Sequence, residues 1–406
     1  MKTKKIIVFG AGKIGRSFIG QVFNRMGYEV VFVDINRALI NLINQNRAYR
    51  IIIKEGDAEE TLFIRNIRGV CLEDEKQVIA ELKDADITSL SVGQQGLKAA
   101  VPILAKAMIV RREEYGELPL DIIIAENMRN ADRFLRDELV KYLPKDYPLD
   151  RLAGLVETSI GKMVPIMTQK DLDEDPLLVF AETYNSLIVA KNGFKNPIPD
   201  SPFLAPKVNI KAWVDRKLFI HNMGHAAIAY LGFQTYPNAT YIYEVLEDNR
   251  IFEEVRKTML QSAAILQALY PEEFTASQLE IHIEDLLRRF KNKSLGDTIF
   301  RVGCDLYRKL DPEDRLVSPI YAAIKTGKPY HLIVNVIKAA IGFKAKDAND
   351  NYFPADMLFF EEAKKGCRHI LENLCKLPVD IINSTFTHAD SPLCEIQSGI
   401  NKKRPV

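Results

Sequence analysis

Lys217, His221, Asn222 and His225 lie within nine consecutive residues. A lysine, an amide and two imidazoles on one segment can exchange a proton and polarise a carbonyl. An alcohol–ketone interconversion needs both: a base that takes the hydroxyl proton as hydride leaves, and donors that stabilise oxyanion character in the transition state. A desolvated lysine with a depressed pKa supplies the first. At roughly 100° per residue of α-helix, Lys217, His225 and Asn222 fall at about 0°, 80° and 140°. That is a broad face, from which a long lysine and an amide can still converge on one atom. Taken singly, each residue has a plainer reading: a solvated lysine, a turn cap, a satisfied core histidine. His221 and His225, four apart, also have the spacing of a metal-binding pair, with Glu157 or His331 as a third ligand. Gly224 weakens the helix that would hold such a pair, and the sequence reading expects no metal.

A hydride acceptor is suggested by the N-terminus. Lys5–Phe9 reads as a buried strand and runs into Gly10-Ala11-Gly12-Lys13-Ile14-Gly15, a G-x-G-x-x-G turn that opens a helix. The first glycine permits the tight turn and the second lets backbone approach a pyrophosphate. The third allows close strand–helix packing, and the N–H groups at Lys13 and Ile14 start a helix whose positive end faces an anion. Asp34 closes the next strand, 19 residues beyond Gly15, near the spacing of a ribose 2′-hydroxyl acceptor. Its carboxylate favours NAD over NADP, and Arg37 nearby weakens that preference. Gly93 ends a further strand, either as an ordinary terminator or to let backbone approach the nicotinamide ribose. Asn127 follows another strand, as a cofactor or substrate contact or as a helix N-cap.

The elements that must position these groups fall into two patterns. In the first half, strands at 6–9, 29–33, 50–53, 87–92 and 120–125 alternate with helices at 14–26, 38–45, 76–82, 97–109 and 130–142, the signature of a parallel sheet flanked by helices. Pro197, Pro199, Pro202 and Pro206 then interrupt any regular element, as a domain junction or equally as an ordered crossover; taken as a junction, it gives residues 1–200 for the dinucleotide and 201–406 for the chemistry. Beyond it, apolar residues at helical spacing cover 214–231, 241–270, 277–290, 332–343 and 359–374. The fold expected is an α/β Rossmann-type domain followed by a mainly α-helical domain. The last dozen residues, ending Lys402-Lys403-Arg404-Pro405-Val406, read as frayed.

Composition narrows the class further. A chain of 406 residues with 47% hydrophobic and 27% charged residues is globular, and its net charge of +1 provides no global field for nucleic acid or an anionic membrane. The apolar run after Lys2, Lys4 and Lys5 ends at Phe9, too short for a signal peptide. No run approaches the roughly 20 apolar residues of a membrane span. Five cysteines without a CxxC pair point to a reducing compartment and argue against a disulfide framework or a thiolate zinc site. The expectation is a cytoplasmic protein, a monomer or small homo-oligomer, that takes a small-molecule substrate.

The segment Lys217-x4-Asn222-x2-His225, followed by Ala226-Ala227-Ile228-Ala229-Tyr230-Leu231-Gly232, resembles the signature of the polyol-specific long-chain dehydrogenases. Phe9–Arg16 with Phe18-Ile19-Gly20 is similar to the N-terminal motif of that family. Glu126-Asn127-Met128, Arg216–Phe219, and the block from Arg289-Phe290-Lys291-Asn292 through Asp314-Arg315-Leu316 are similar to its other motifs. The resemblance covers most of residues 1–345. It implies a metal-independent reaction in which Lys217 is the acid/base and Asn222 and His225 polarise the carbonyl. Chain length leans towards the branch acting on sugar phosphates, and so towards fructose 6-phosphate and mannitol 1-phosphate. A keto-uronate reductase of the same family and an NAD-binding sensor without catalysis are the other readings. Gly161-Lys162 departs from the family pattern, which usually has an Asp-Arg pair there. For a phosphate on the substrate, the sequence offers Lys291, Lys293, Arg301, Arg315 and Lys325 without choosing among them.

Overall fold

A computed structural model describes residues 3–56 and 58–385. The C-terminal end read as frayed, with Cys394, lies outside the described residues. The chain forms two compact units, one ending at Val214 and the other beginning at Asp215.

The first unit runs β1 (Lys5–Phe9), α1 (Gln21–Arg25), β2 (Glu29–Asp34), α2 (Arg37–Asn46), β3 (Ala48–Glu55), β4 (Ala58–Arg65), β5 (Ile67–Cys71), α3 (Glu75–Lys83), β6 (Ile87–Leu90), α4 (Gly93–Tyr115), β7 (Leu120–Ile124), α5 (Ala131–Leu139), α6 (Leu149–Leu152), β8 (Ala153–Ser159), α7 (Gln169–Glu174), β9 (Val179–Ala181), β10 (Leu187–Ala190) and β11 (Leu204–Lys207). Eight strands form one sheet in the order β11-β10-β8-β7-β6-β1-β2-β5. From β5 to β8 every pairing is parallel, and β5-β2-β1-β6-β7-β8 is the 3-2-1-4-5-6 order of a doubly wound dinucleotide-binding sheet. Strand order reverses between β1 and β6, where the carboxyl ends of the two strands open a crevice for a ligand. β1 reads Lys-Ile-Ile-Val-Phe because both its faces are covered. Ile6 and Val8 enter one core, and Ile7 and Phe9 enter the other.

The strand expected at 50–53 is the longer β3. It lies in a second sheet, β4-β3-β9, in which β3 pairs antiparallel with β4. Strands β4, β5 and β8 to β11 had no counterpart in the sequence reading. The proline-rich stretch ends in β11, which pairs only with β10. Pro206 is therefore accommodated on an edge strand.

The second unit is helical among the described residues. Helix α8 (Ile210–Arg216) crosses the division and leads, through Lys217–Asn222, into α9 (Met223–Thr235). There follow α10 (Ile242–Val245), α11 (Asn249–Leu269), α12 (Ala276–Phe290), α13 (Ile299–Gly303), α14 (Leu306–Lys309), α15 (Ser318–Thr326), α16 (His331–Ile341), α17 (Pro354–Ala363), α18 (Cys367–Asn373) and α19 (Val379–Thr385). The helical pattern at 241–270 is two helices, because the Asp248 side chain accepts Arg250 N (2.8 Å) and caps a new start. That at 359–374 is also split, at Gly366, whose φ of 102° breaks the helix. Cys71, Cys304 and Cys375 are free thiols. Cys367 is disulfide-bonded, a single bridge where the sequence argued against a disulfide framework.

Gly15–Gly20 and Lys217–Asn222 are both π-helical turns. A π turn bonds residue i to i+5 and so leaves a carbonyl without its α-helical partner. In each turn a hydroxyl from another element supplies a donor. Tyr49 Oη on β3 donates to the Arg16 carbonyl (2.7 Å), and Ser262 Oγ on α11 donates to the Phe219 carbonyl (2.7 Å). Tyr49→Phe and Ser262→Ala each remove one donor. Each is expected to cost about 1–3 kcal/mol, read from urea unfolding. A loss below about 0.5 kcal/mol would show that the turn stands without its hydroxyl.

Candidate functional site

The glycine turn sits at the carboxyl end of β1. Gly10 has a φ of +92°, and a Cβ there would lie 2.3 Å from the Ser91 carbonyl oxygen of the neighbouring chain segment. At Gly15 a Cβ would come within 1.8 Å of the Gly10 carbonyl, so the turn and its helix pack too closely for a side chain. In front of Gly12 nothing lies within 4 Å, which leaves room for the phosphates of a dinucleotide. Lys13 is exposed and Ile14 half-buried at the start of the helix. Arg16, quoted in the motif without a role, braces the turn from below: Nε donates to the Ala11 carbonyl (2.7 Å) and Nη1 to that of Leu177 (2.5 Å).

Asp34 lies where the spacing placed it. One carboxylate oxygen accepts Ala11 N (2.7 Å) and the other Asn36 N (2.9 Å), which fixes its orientation beside the turn. Arg37 is taken up by Glu73 (2.9 Å) and Asp74 (3.1 Å). At the other wall of the crevice Gly93 opens α4 with φ +75° and open space before it. The side chain that sets this corner is Glu126, whose Oε1 accepts Val92 N (2.6 Å) and Gly93 N (2.8 Å). Burial pushes its carboxyl up, against those two hydrogen bonds. Asn127 is exposed. The N-cap of α5 is Asn130, so Asn127 does not cap that helix.

In the second unit, Lys217 and Asn222 begin and end the π turn. Residues five apart there take the place that residues four apart hold in an α-helix, so the two stack on one face. The wide 140° separation expected for an α-helix does not hold across this turn. Burial, reinforced by the charge of Arg315, lowers the Lys217 ammonium to about 8. The Asn222 side chain is half-buried and makes no hydrogen bond among the described residues.

His225, on the first turn of α9, stacks on Phe290 of α12 with ring centroids 4.9 Å apart and planes 3° apart. Its Nε2 lies 3.1 Å from Asp297 Oδ2, at ion-pair distance but off the direction of a formed hydrogen bond. Asp297 is 4% exposed and also pairs with Arg301 (3.0 Å). Its carboxyl lies below the usual range: burial raises it, but His225 and Arg301 outweigh burial. Phe290 and Asp297 were invisible as partners in the sequence, although both lie in the block from Arg289 to Arg315.

His221 is buried beside the same phenyl ring (5.5 Å, edge-on). Burial, and then the charge of Arg289, push its pKa down. The imidazole centroids of His221 and His225 are 6.4 Å apart. Of the third ligands considered, His331 contacts Gln261 (3.2 Å) and Glu157 accepts Ala131 N (3.2 Å). No group of three or more His, Cys, Asp or Glu residues is placed to hold a metal ion among the described residues. At the departure from the family pattern, Lys162 is 7% exposed, and its Nζ donates to the carbonyls of Glu182 (2.7 Å) and Tyr184 (2.6 Å). It is an internal strut.

Residues 4–201 match the family model of the mannitol dehydrogenase Rossmann domain, and 209–372 match that of the mannitol dehydrogenase C-terminal domain. The chain belongs to the mannitol dehydrogenase family of polyol dehydrogenases. Among solved structures it is similar to Pseudomonas fluorescens mannitol 2-dehydrogenase in a ternary complex with NAD and D-mannitol. The two share 16% identity and a TM-score of 0.69, over 97% of this chain and 89% of that one. It is also similar to a substrate-free D-sorbitol dehydrogenase, at 15% identity and a TM-score of 0.75, over 97% and 92% of the two chains. At such identities the likeness is one of fold. No helix among the described residues is long and apolar enough to cross a membrane.

The geometry separates two glycines. Gly12→Val meets open space, so the melting temperature should stay within a few degrees of wild type while NADH affinity falls at least about tenfold. Gly15→Ala drives a Cβ into the turn and should destabilise the fold by about 1–3 kcal/mol. Calorimetric titration with NADH and thermal unfolding test both. Asp297→Asn removes the charge that faces His225. It should lower kcat about 10- to 100-fold, measured beside an NADH affinity that stays at the wild-type value.

Proposed function

We propose that this polyol dehydrogenase uses NAD to interconvert mannitol 1-phosphate and fructose 6-phosphate, as a mannitol-1-phosphate 5-dehydrogenase. The observation that carries the reading is Lys217. Its ammonium, lowered to about 8, begins a π turn that ends in Asn222 and is followed within one helical turn by His225. A lysine so poised is a base of useful strength near neutral pH.

Gly10, Gly12, Gly15, Gly93 and Asp34 fit a dinucleotide: the open space at Gly12 and Gly93 admits the phosphates and ribose, and Asp34 takes the adenosine ribose hydroxyls. Bound there, the nicotinamide accepts or returns hydride at its C4. In the oxidative direction neutral Lys217 Nζ removes the proton from the substrate hydroxyl. In the reductive direction the ammonium returns a proton to the carbonyl oxygen. Asn222 Nδ2 and His225 donate to that oxygen as negative charge develops on it, and Phe290 and Asp297 fix the plane of the imidazole. Asp34 and the pairing of Arg37 with two carboxylates favour NAD over NADP. Cofactor and substrate roles alike belong to a small-molecule enzyme.

The decisive assay is NADH oxidation with fructose 6-phosphate, fructose, tagaturonate and fructuronate in parallel, with chelator present. Strong preference for fructose 6-phosphate is expected. Preference for a uronate would move the protein to another branch, and NADH binding without any turnover would make it a sensor. Lys217→Ala should reduce kcat about 10²- to 10⁴-fold with NADH affinity unchanged, and near-normal kcat would remove Lys217 from the mechanism. Because oxidation needs the neutral amine, kcat/KM for the polyol should rise with pH and level off above about 8. Reduction needs the ammonium and should decline over the same interval.

A further inference from the structure

The sequence left five basic residues open as phosphate ligands, and their environments differ sharply. Lys291 lies over the Phe252 ring (4.0 Å), and Lys293 pairs with Glu247 (3.6 Å) over Tyr243. Arg301 pairs with Asp297, and Lys325 is exposed. Arg315 alone combines deep burial, at 8% exposure, with an unfilled hydrogen-bonding edge.

Arg315 lies between α14 and α15. Its Nε donates to Asp314 Oδ1 (2.8 Å), and its backbone N donates to the same oxygen (2.6 Å). Arg308 Nη1 takes the other Asp314 oxygen (3.1 Å). Asp314 is thus shared between two guanidinium groups, and its position fixes the plane of Arg315. The two terminal nitrogens of Arg315 have no partner among the described residues, and neither is a buried orphan. The open end of the fork therefore reaches solvent.

Cations and carboxylates are crowded together at this place, and Arg308 has Asp305 as a second partner. Lys309 is 3% exposed, and its Nζ donates to the Val302 carbonyl (2.7 Å) and to that of Cys304, with no carboxylate as acceptor. Asp356, also buried, is spent on the N–H groups of Asp305 (3.0 Å) and Leu306 (2.7 Å). The positive charge of Arg315 is felt at both Lys217 and Lys309, where it adds to burial in lowering the ammonium groups to about 8 and about 7. Buried cations are ordinarily matched by anions. Here the carboxylates serve the inner groups, and the outward two-nitrogen edge of Arg315 has no anion facing it among the described residues.

We propose that the open edge of Arg315 is the site that reads the substrate's phosphate, two guanidinium nitrogens meeting two oxygens of a phosphomonoester while Asp314, braced by Arg308, holds the fork in plane. Arginine suits this task because its rigid fork matches phosphate geometry, whereas lysine offers only a point charge. A doubly charged phosphate also supplies an anion to that outward edge. The inference rests on the polyol-phosphate reading and names the residue that would enforce it.

The test is steady-state NADH oxidation at pH 7, where Lys217 is mostly protonated, with fructose 6-phosphate and with fructose. Wild type is compared with Arg315→Met, Arg315→Lys and, as a control, Lys325→Met. Loss of a bidentate charged contact should raise KM for fructose 6-phosphate about 30- to 100-fold in Arg315→Met. kcat/KM for fructose should change less than about threefold, and the control should behave as wild type. Inorganic phosphate should compete with fructose 6-phosphate in wild type, with its inhibition constant raised at least about tenfold in Arg315→Met. Arg315→Lys keeps the charge and loses the fork. It should show a smaller but still phosphate-selective rise, and it decides the matter should Arg315→Met not fold. Equal losses with both sugars, or unchanged KM in Arg315→Lys, would overturn the assignment. If wild type prefers fructose 6-phosphate and the Arg315 variants retain that preference, this inference alone falls. If wild type shows no preference for the phosphorylated sugar, the underlying reading falls with it.

Discussion

A single hydroxyl-to-carbonyl hydrogen bond from outside the helix recurs at both π turns among the described residues. A π turn is less stable than the α-helix on either side, and it persists where something outside rewards it. At Gly15–Gly20 the donor is Tyr49, which also packs edge-on against Phe32 with centroids 6.1 Å apart. At Lys217–Asn222 it is Ser262, fully buried on α11. The glycine turn depends on the first, because the π segment begins at Gly15 and carries the Arg16 side chain back to the Ala11 carbonyl. The second brings Lys217 and Asn222 into register. A regular helix through 217–222 would leave the amide well round from the lysine.

Electrostatics follow from this placement. Within the second unit, the half-buried Lys217 and the buried His221 share their surroundings with Arg289, Arg315 and Lys309. The charge of Arg315 lowers Lys217 and Lys309, and that of Arg289 lowers His221, in each case after burial. Asp297 is the exception. It keeps its charge in a buried setting because His225 and Arg301 stand on either side of it. A lysine that gives up its proton near pH 8 and an imidazole beside a carboxylate are then available together.

Much of the fold was legible because its signals are local. The alternation of short β-rich runs with amphipathic helices marked a parallel sheet, and the glycine spacing located its crevice at the end of β1. The carboxylate of Asp34 appeared beside that turn because strand length and turn length are tightly coupled in a βαβ unit. What escaped was whatever depends on contacts distant in sequence. The second sheet joins β3 to β9 across more than a hundred residues, and a three-residue strand carries almost no periodicity. The partners of His225 were hidden because Phe290 ends the third helix further along the chain and Asp297 follows it. Glu126 escaped attention beside Asn127, since backbone acceptance at Val92 and Gly93 leaves no mark in composition. The π turn was unreadable for a similar reason: its cause is a serine some forty residues downstream.

Lys162 illustrates a different kind of substitution. At Gly161-Lys162 the chain carries an ammonium turned inwards and tied to two carbonyls. Such a group has little freedom to respond to what binds, and its burial shields it from solvent and from chemical modification. The segment after β8 has in effect become scaffold. Discrimination among sugars would then concentrate in fewer residues, leaving the enzyme fewer independent positions at which selection or design could shift its choice of substrate.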